Sequence, residues 1–264
     1  MRKNILMALV FAMAFLLLFA GCGAGSEDTF NDIKAAGKFV VGLDDEFAPM
    51  GFRDENNEIV GFDVDLAKEA ARRLGLEVEF QPISWDAKEM ELKNKNIDVI
   101  WNGLSITEER KKQMAFTKPY LENLQVIVVP EGSDIKTKAD LAGKKVGVQA
   151  GSTSKDALEA DTETFESIGE LVEYPTNFEA LLDLGTGRID AVVVDEILGR
   201  YYIAMNDAKL VVLEDNFGRE EYGVGLRLGD KEFLEALNKV LDEMKADGTA
   251  AEISRKWFGE DIVK

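Results

Sequence analysis

Three short stretches carry residues whose types and spacing could do chemistry. Residues 101–113, WNGLSITEERKKQ, bring Asn102, Gly103 and Ser105 up to Arg110. Arginine offers a planar fork of donors that matches a carboxylate two bonds at a time. Ser105 and Glu108 stand at capping-box spacing, with Thr107 as an alternative cap, which predicts a helix over 105–113 with anion-favouring N–H groups. Residues 150–154, AGSTS, follow the apolar run KVGVQ, so Ser152 and Thr153 offer hydroxyls and exposed N–H groups at a second helix start. Asp195 closes the apolar run AVVVD, where an acid is costly unless something pairs with it. It could cap the following stretch EILGRYYIAM, or it could receive an ammonium.

Together these groups suit a zwitterion. An α-amino acid needs a forked cation and N–H donors at its carboxylate, and a carboxylate with oxygen acceptors at its ammonium. Gly103 permits close backbone approach on that second side, and Ser105 adds a hydroxyl.

The elements that must position these residues alternate short β-branched runs with amphipathic stretches, which predicts an α/β architecture. In GFDVDLAKEAARRLGL, Val64, Leu66, Ala67, Ala70, Ala71 and Leu74 share one helical face, and Gly75 stops the helix. FVVGL, EVEFQPI, IDVIWN, QVIVVP, KKVGVQA, IDAVVVD and KLVVLE read as strands. NDIKAAGK, residues 86–95, FEALLDLGTGR and KEFLEALNKVLDEMKADG read as helices. LKNKNIDVIWNG and LGTGRIDAVVVDE share a plan: a helix end, a basic turn, Ile-Asp, then a buried strand. That echo predicts two lobes of similar topology. In open α/β sheets ligands collect beyond the carboxyl ends of strands, here at 102–103 and 194–195.

Composition removes several function classes. The 264 residues carry no histidine and one cysteine. Ser-His-Asp and Cys-His catalysis, histidine metal sites, cysteine-cluster zinc and intramolecular disulfides are therefore excluded, and neither metal nor cofactor is expected. A formal charge of -19 argues against nucleic acid and is otherwise a contribution to solubility.

The chain begins with Arg2 and Lys3 and then runs apolar over residues 5–20, short of the roughly 20 residues that span a bilayer. This is the pattern of an export signal over residues 1–21. FAGC resembles a bacterial lipobox. That implies a lipidated Cys22 (palmitate among the acyl groups), with a flexible tether over 22–28 and folding from near Thr29.

Over nearly the whole remaining chain the sequence resembles the bacterial extracellular solute-binding proteins of the polar amino-acid family, family 3, the capture components of ABC importers. The resemblance lies in GKFVVGLDDEFAPMGF, GFDVDLAKE, NIDVIWNGLSITEERK, FTKPY, DLAGKKVGVQAGST, GRIDAVVVDE, EEYGVGLRLGD and KADGTAAEISRKWFG. It implies a two-lobed, type II periplasmic-binding-protein-like fold, each lobe a mixed sheet flanked by helices. One lobe takes residues 29–124 and 219–264, the other 125–218, with two chain crossings as a hinge. It implies that Arg110 holds the ligand carboxylate with Ser152 and Thr153, and that Asp195 holds the ammonium beside the Gly103 carbonyl and the Ser105 hydroxyl. Asn102 takes a neighbouring polar position, Phe47 stacks on the side chain opposite Trp85, and Asp44 reaches its far end. Gly51 and Met50 depart from the family's common PFEF pattern and reshape the pocket mouth. A polar, basic or amide amino acid, a membrane permease–ATPase complex and a monomeric, envelope-located protein follow from the resemblance. A dehydratase-like enzyme on the same scaffold, or a sensing module for a separate signalling partner, are the alternative readings.

Overall fold

A computed structural model describes residues 28–264. Cys22, the export signal and the tether up to residue 27 lie outside them. The fold opens at Thr29, whose N–H and hydroxyl both donate to Asp230 Oδ1 at 3.0 Å. Helix α1 (Phe30–Ala36) follows, then β1 (Lys38–Leu43), a small sheet of β2 (Glu46–Phe47), β3 (Gly51–Arg53) and β4 (Ile59–Val60), and α2 (Phe62–Leu74). The apolar stripe of α2 buries Val64, Leu66, Ala67, Ala70 and Ala71, while Leu74 is only partly buried. Gly75, left-handed at φ 69°, ends the helix.

The first large sheet combines β1, β5 (Glu77–Pro82), β6 (Val99–Ile100), β7 (Met114–Phe116) and β13 (Gly225–Arg227), in the order β5-β1-β6-β13-β7. Helix α3 (Lys88–Lys93) lies between β5 and β6. The second sheet combines β8 (Leu121–Pro130), β9 (Lys145–Gln149), β10 (Glu170–Tyr174), β11 (Ala191–Asp195) and β12 (Leu210–Tyr222), in the order β10-β9-β11-β8-β12. Around it stand α4 (Thr153–Ala160), α5 (Thr162–Ser167), α6 (Asn177–Gly185) and α7 (Glu196–Asn206). The chain then returns through β12 and β13 to α8 (Lys231–Ala246) and α9 (Thr249–Phe258), which pack on the first half.

The sequence echo has a structural cause. β6 and β11 are the middle strands of their sheets, each parallel to the neighbour on one side and antiparallel to the neighbour on the other. The isoleucine of each Ile-Asp pair is buried (Ile97, Ile189). The aspartate locks onto the adjacent parallel strand: Asp98 accepts from Val40 N and donates its own N–H to Val40 O, and Asp190 does the same with Lys145. An acid before a buried strand thus satisfies backbone groups where the ladder begins.

The two halves are linked by a ribbon. Leu121 to Leu124 of β8 pair with Tyr222 to Arg219 of β12 before β8 takes up β11 at Gln125. The ribbon is tied to the first half by Ile106 N to Glu221 O and Gly223 N to Leu104 O.

One predicted element is corrected. Residues 105–113 form no α-helix, only a 3₁₀ turn over Arg110–Lys112. Ser105 is drawn instead into a bridge with Tyr222, and its hydroxyl meets Thr153 Oγ1 at 3.0 Å, so the capping box does not form. Thr107 Oγ1 accepts from Arg110 N at 3.1 Å, but the turn's N-cap is Glu109, which makes no side-chain cap bond.

Candidate functional site

Where the carboxyl ends of the two sheets face each other, a small, nearly filled cavity of about 10 Å³ is lined by Phe47, Trp85, Gly103, Ser105, Arg110, Gln149, Ser152, Thr153 and Asp195. Eight of the ten sequence-predicted site residues meet there. Hydrogen bonds cross the cleft around it. Arg110 Nη2 and Lys88 Nζ both donate to Gly151 O, at 3.1 and 2.9 Å, and Gln149 Nε2 donates to Asp44 Oδ2 at 2.7 Å.

Arg110 projects from its short turn with only 6% of its surface exposed. Nη1 donates to Ser105 O at 3.0 Å, so carbonyls rather than a carboxylate orient the fork. Burial pushes its pKa down, and no carboxylate lies within 4.0 Å of it among the described residues. Lys88, buried behind it, packs over the Trp85 ring at 5.1 Å and pairs with Glu89 at 3.2 Å. Burial and the Arg110 charge push its ammonium down to about 8.

On the facing turn, Ser152 caps α4: its Oγ accepts from Lys155 N at 3.3 Å and donates to Gln149 O at 2.7 Å. Thr153 is the first helical residue, so its N–H has no acceptor within the helix. Gly151 sits at φ 69°, and a Cβ there would come within 2.9 Å of Asp86 Cα across the cleft. Glycine at this position lets the two backbones close on each other.

Asp195 ends β11 and makes no cap to α7, which removes the helix-cap explanation. Its Oδ1 instead accepts from Asn123 Nδ2 (2.5 Å), Gln125 Nε2 (3.1 Å) and the Tyr222 hydroxyl (2.5 Å). The carboxyl is buried beside Glu220, and burial first, then that neighbouring charge, push its pKa well up. Gly103, at φ 58°, gives its N–H to Asp63 Oδ2 at 2.7 Å, and a Cβ there would strike Phe47 Cε1 at 2.9 Å.

Asp44 and Asn102 stand outside the cavity wall. Asn102 is wholly buried, and its Oδ1 accepts from Asp44 N at 3.0 Å, so it fixes the loop that carries Asp44. Asp44 is joined to the wall through Gln149, whose Oε1 accepts from Asn177 Nδ2 at 2.9 Å. Burial pushes the Asp44 carboxyl up to about 6.

The sequence profile of the bacterial extracellular solute-binding proteins, family 3, matches residues 39–260. The chain belongs to this family. It is 36% identical over 262 residues to the L-cystine-binding protein TcyJ of Escherichia coli, covering 97% of each chain. It is 35% identical over 229 residues to the ABC transporter arginine-binding protein 1 of Escherichia coli, covering 85% of this chain and 92% of that protein. Among solved structures it resembles an ABC uptake transporter substrate-binding protein from Streptococcus pneumoniae with bound histidine. The TM-score is 0.88 at 36% identity, covering 90% of this chain and 99% of that one. The fold is accordingly the two-lobed type II periplasmic-binding-protein fold of this family.

Within that family frame, sequence reasoning missed Gln149, Lys88, Asn123, Gln125 and Glu220. Gln149 closes KVGVQ as Asp195 closes AVVVD, a strand-end signal present in the sequence. Glu220 stands two residues before the buried Tyr222 on a strand, a period-2 placement that puts both side chains on one face. Lys88 carried no signal. A lysine in a charged helix start reads as solvated until the fold buries it.

Among the described residues no group of His, Cys, Asp or Glu is arranged to hold a metal ion, and no helix is long and apolar enough to cross a membrane.

Proposed function

We propose that this chain captures a free polar L-amino acid between its two lobes and presents the closed complex to the membrane permease of an ABC importer. One observation carries this reading: a buried guanidinium without a carboxylate partner and a buried carboxylate without a cation partner line the same cavity, each held by uncharged groups. A buried charge is costly unless paired, and a zwitterion pairs both. Arg110 takes the carboxylate with the Thr153 N–H and hydroxyl and the Ser152 turn. Asp195 takes the ammonium with the Gly103 carbonyl and the Ser105 hydroxyl. Phe47 and Trp85 flank the side chain, which points toward Gln149 and Asp44, while Asn102 holds the Asp44 loop. An acid and an amide at that end favour a basic or amide side chain. The relatives that bind cystine, arginine or histidine stand in the same substrate range. They are binding proteins, and this chain is read as one rather than as an enzyme.

Residues 29–124 with 219–264 would move as one body against 125–218, flexing at the β8–β12 ribbon. Since the ligand touches both bodies, it stabilises the closed form by its differential affinity. The protein works as a monomer at the cell envelope, exported by residues 1–21 and anchored through a lipid on Cys22. Labelled palmitate should enter the wild type and not Cys22→Ala; equal labelling would remove the anchor. For the ligand, a thermal-shift screen against the twenty amino acids and cystine should show a large rise for a few polar members. No rise with any of them would overturn the reading.

A further inference from the structure

Asp195 does not stand alone. Asn123 Nδ2 and Gln125 Nε2 each donate twice, once to Asp195 Oδ1 and once to Glu220 Oε1, the latter at 2.8 and 2.7 Å. Two carboxylates therefore share two amide donors. Gln125 is itself fixed, its Oε1 accepting from Ser154 Oγ at 2.6 Å. Among the described residues no lysine or arginine lies within 4.0 Å of either acid: Arg219 turns to Glu122, Lys264 to Glu122 and Glu221, and Arg200 to Glu196. Glu220 is outside the cavity wall.

The groups facing the pair are few. β8 presents Asn123 and Gln125, β12 presents Tyr222, and the start of α4 presents Thr153, whose Oγ1 lies 3.3 Å from Gln125 Nε2. The Arg110 charge acts on both acids from beyond hydrogen-bond distance. Tyr222 is held in its protonated form by burial and by both neighbouring acids, so its proton stays in place at neutral pH. Like charges in contact cannot both ionise cheaply without a cation, and an ammonium is the cation this site lacks.

We propose that Glu220 acts through Asp195 as the second acid of the ammonium subsite, its charge keeping a proton on Asp195 before the ligand arrives, a proton released to solvent when the ammonium binds. This rests on the amino-acid-binding reading above and deepens it. It makes Glu220 a positioning residue that sets the charge of the subsite, and it couples affinity to pH. Below the titration of Asp195, binding must displace a proton, and affinity falls up to about tenfold for each pH unit lost.

Calorimetry on the detergent-solubilised full chain, with L-arginine and L-glutamine as probes, tests this in two buffers of different ionisation enthalpy at several pH values between about 5 and 8. The wild type should release up to about one proton more per ligand than Glu220→Gln, and its affinity should fall more steeply toward acid pH. Asp44 also titrates in this range, but its contribution survives in Glu220→Gln and cancels from the difference. Glu220→Asp keeps the acid and should restore proton release should the amide variant fold poorly. Equal proton counts and parallel pH profiles in wild type and Glu220→Gln, or an Asp variant that binds without releasing a proton, would overturn the inference while leaving amino-acid binding intact. No binding heat from either probe, together with no thermal shift across the amino-acid panel, would overturn the underlying reading instead.

Discussion

Replacing Arg110 separates ligand recognition from fold maintenance. The guanidinium has five N–H donors, and its intramolecular bonds to Ser105 O and Gly151 O occupy two. The remainder, held rigid by those two, can meet a carboxylate in the cavity. Losing such a buried charge pair costs about 2–5 kcal/mol, so Arg110→Ala should weaken amino-acid binding about 30- to 5,000-fold. Arg110→Lys keeps the charge but not the fork. Losing one charge-assisted hydrogen bond costs about 1.5–3 kcal/mol, or about 10- to 150-fold. Calorimetry with the screened amino acid and with its carboxamide, which lacks the carboxylate charge, completes a cycle. The wild type should discriminate strongly between the two, and Arg110→Ala hardly at all. An alanine variant within about threefold of wild-type affinity, or one that still discriminates against the amide as the wild type does, refutes the assignment.

Asp195→Asn should lose amino-acid affinity by about 2–5 kcal/mol without a lower melting temperature, since the amide relieves the contact with Glu220; an unfolded variant that still binds would return Asp195 to a structural role. Asp44 titrates at about 6 when folded against 3.8 for an unperturbed aspartate, so the folded state holds the extra proton. The stabilisation from that proton is complete below about pH 4 and lost as pH rises through about 6. Asp44→Asn should therefore gain on the wild type across that window, by up to about 3 kcal/mol at pH 7; a urea-midpoint difference that ignores pH counts against it. Gly151→Ala places a methyl against Asp86 across the cleft, so affinity should fall while the ligand-free melting temperature changes by only a few degrees. Unchanged affinity would mean that the turn does not approach Asp86 on closure.

How much of this was legible in the sequence depends on how local the signal is. The α2 stripe and its glycine stop follow from a 3.6-residue period and needed no tertiary information. The Ile-Asp echo marked the two central strands because each aspartate acts on its immediate neighbour strand. Asp195 stood out as an acid closing an apolar strand and Arg110 as a cation in the stretch after another, and the structure buries both. The helix predicted at 105–113 failed because Ser105 spends its hydroxyl on Thr153, forty-eight residues away, and no local spacing reports such a partner. Glu220 was hidden in the polar run REEY, where only its alternation with Tyr222 separates it from the exposed Arg219. Lys88 was hidden because a buried lysine is uncommon and its acceptor, Gly151 O, belongs to the other lobe.

The same contacts explain why closure should depend on ligand. When the lobes meet, Arg110 and Lys88 come together on one neutral oxygen, the carbonyl of Gly151. On the far side Asp195 in the wall and Glu220 outside it share two neutral amides. Lys88 has Glu89 beside it at 3.2 Å, but Arg110 and Asp195 are answered only by dipoles, which is weaker compensation than an opposite charge. Excluding water raises the cost of both arrangements, because the effective dielectric falls as the cavity seals. A ligand with a single charge would relieve one wall and leave the other uncompensated. Only a molecule with a carboxylate and an ammonium a few ångströms apart relieves both at once, so the preference for free α-amino acids is set by the charge pattern of the closed cavity as much as by its shape.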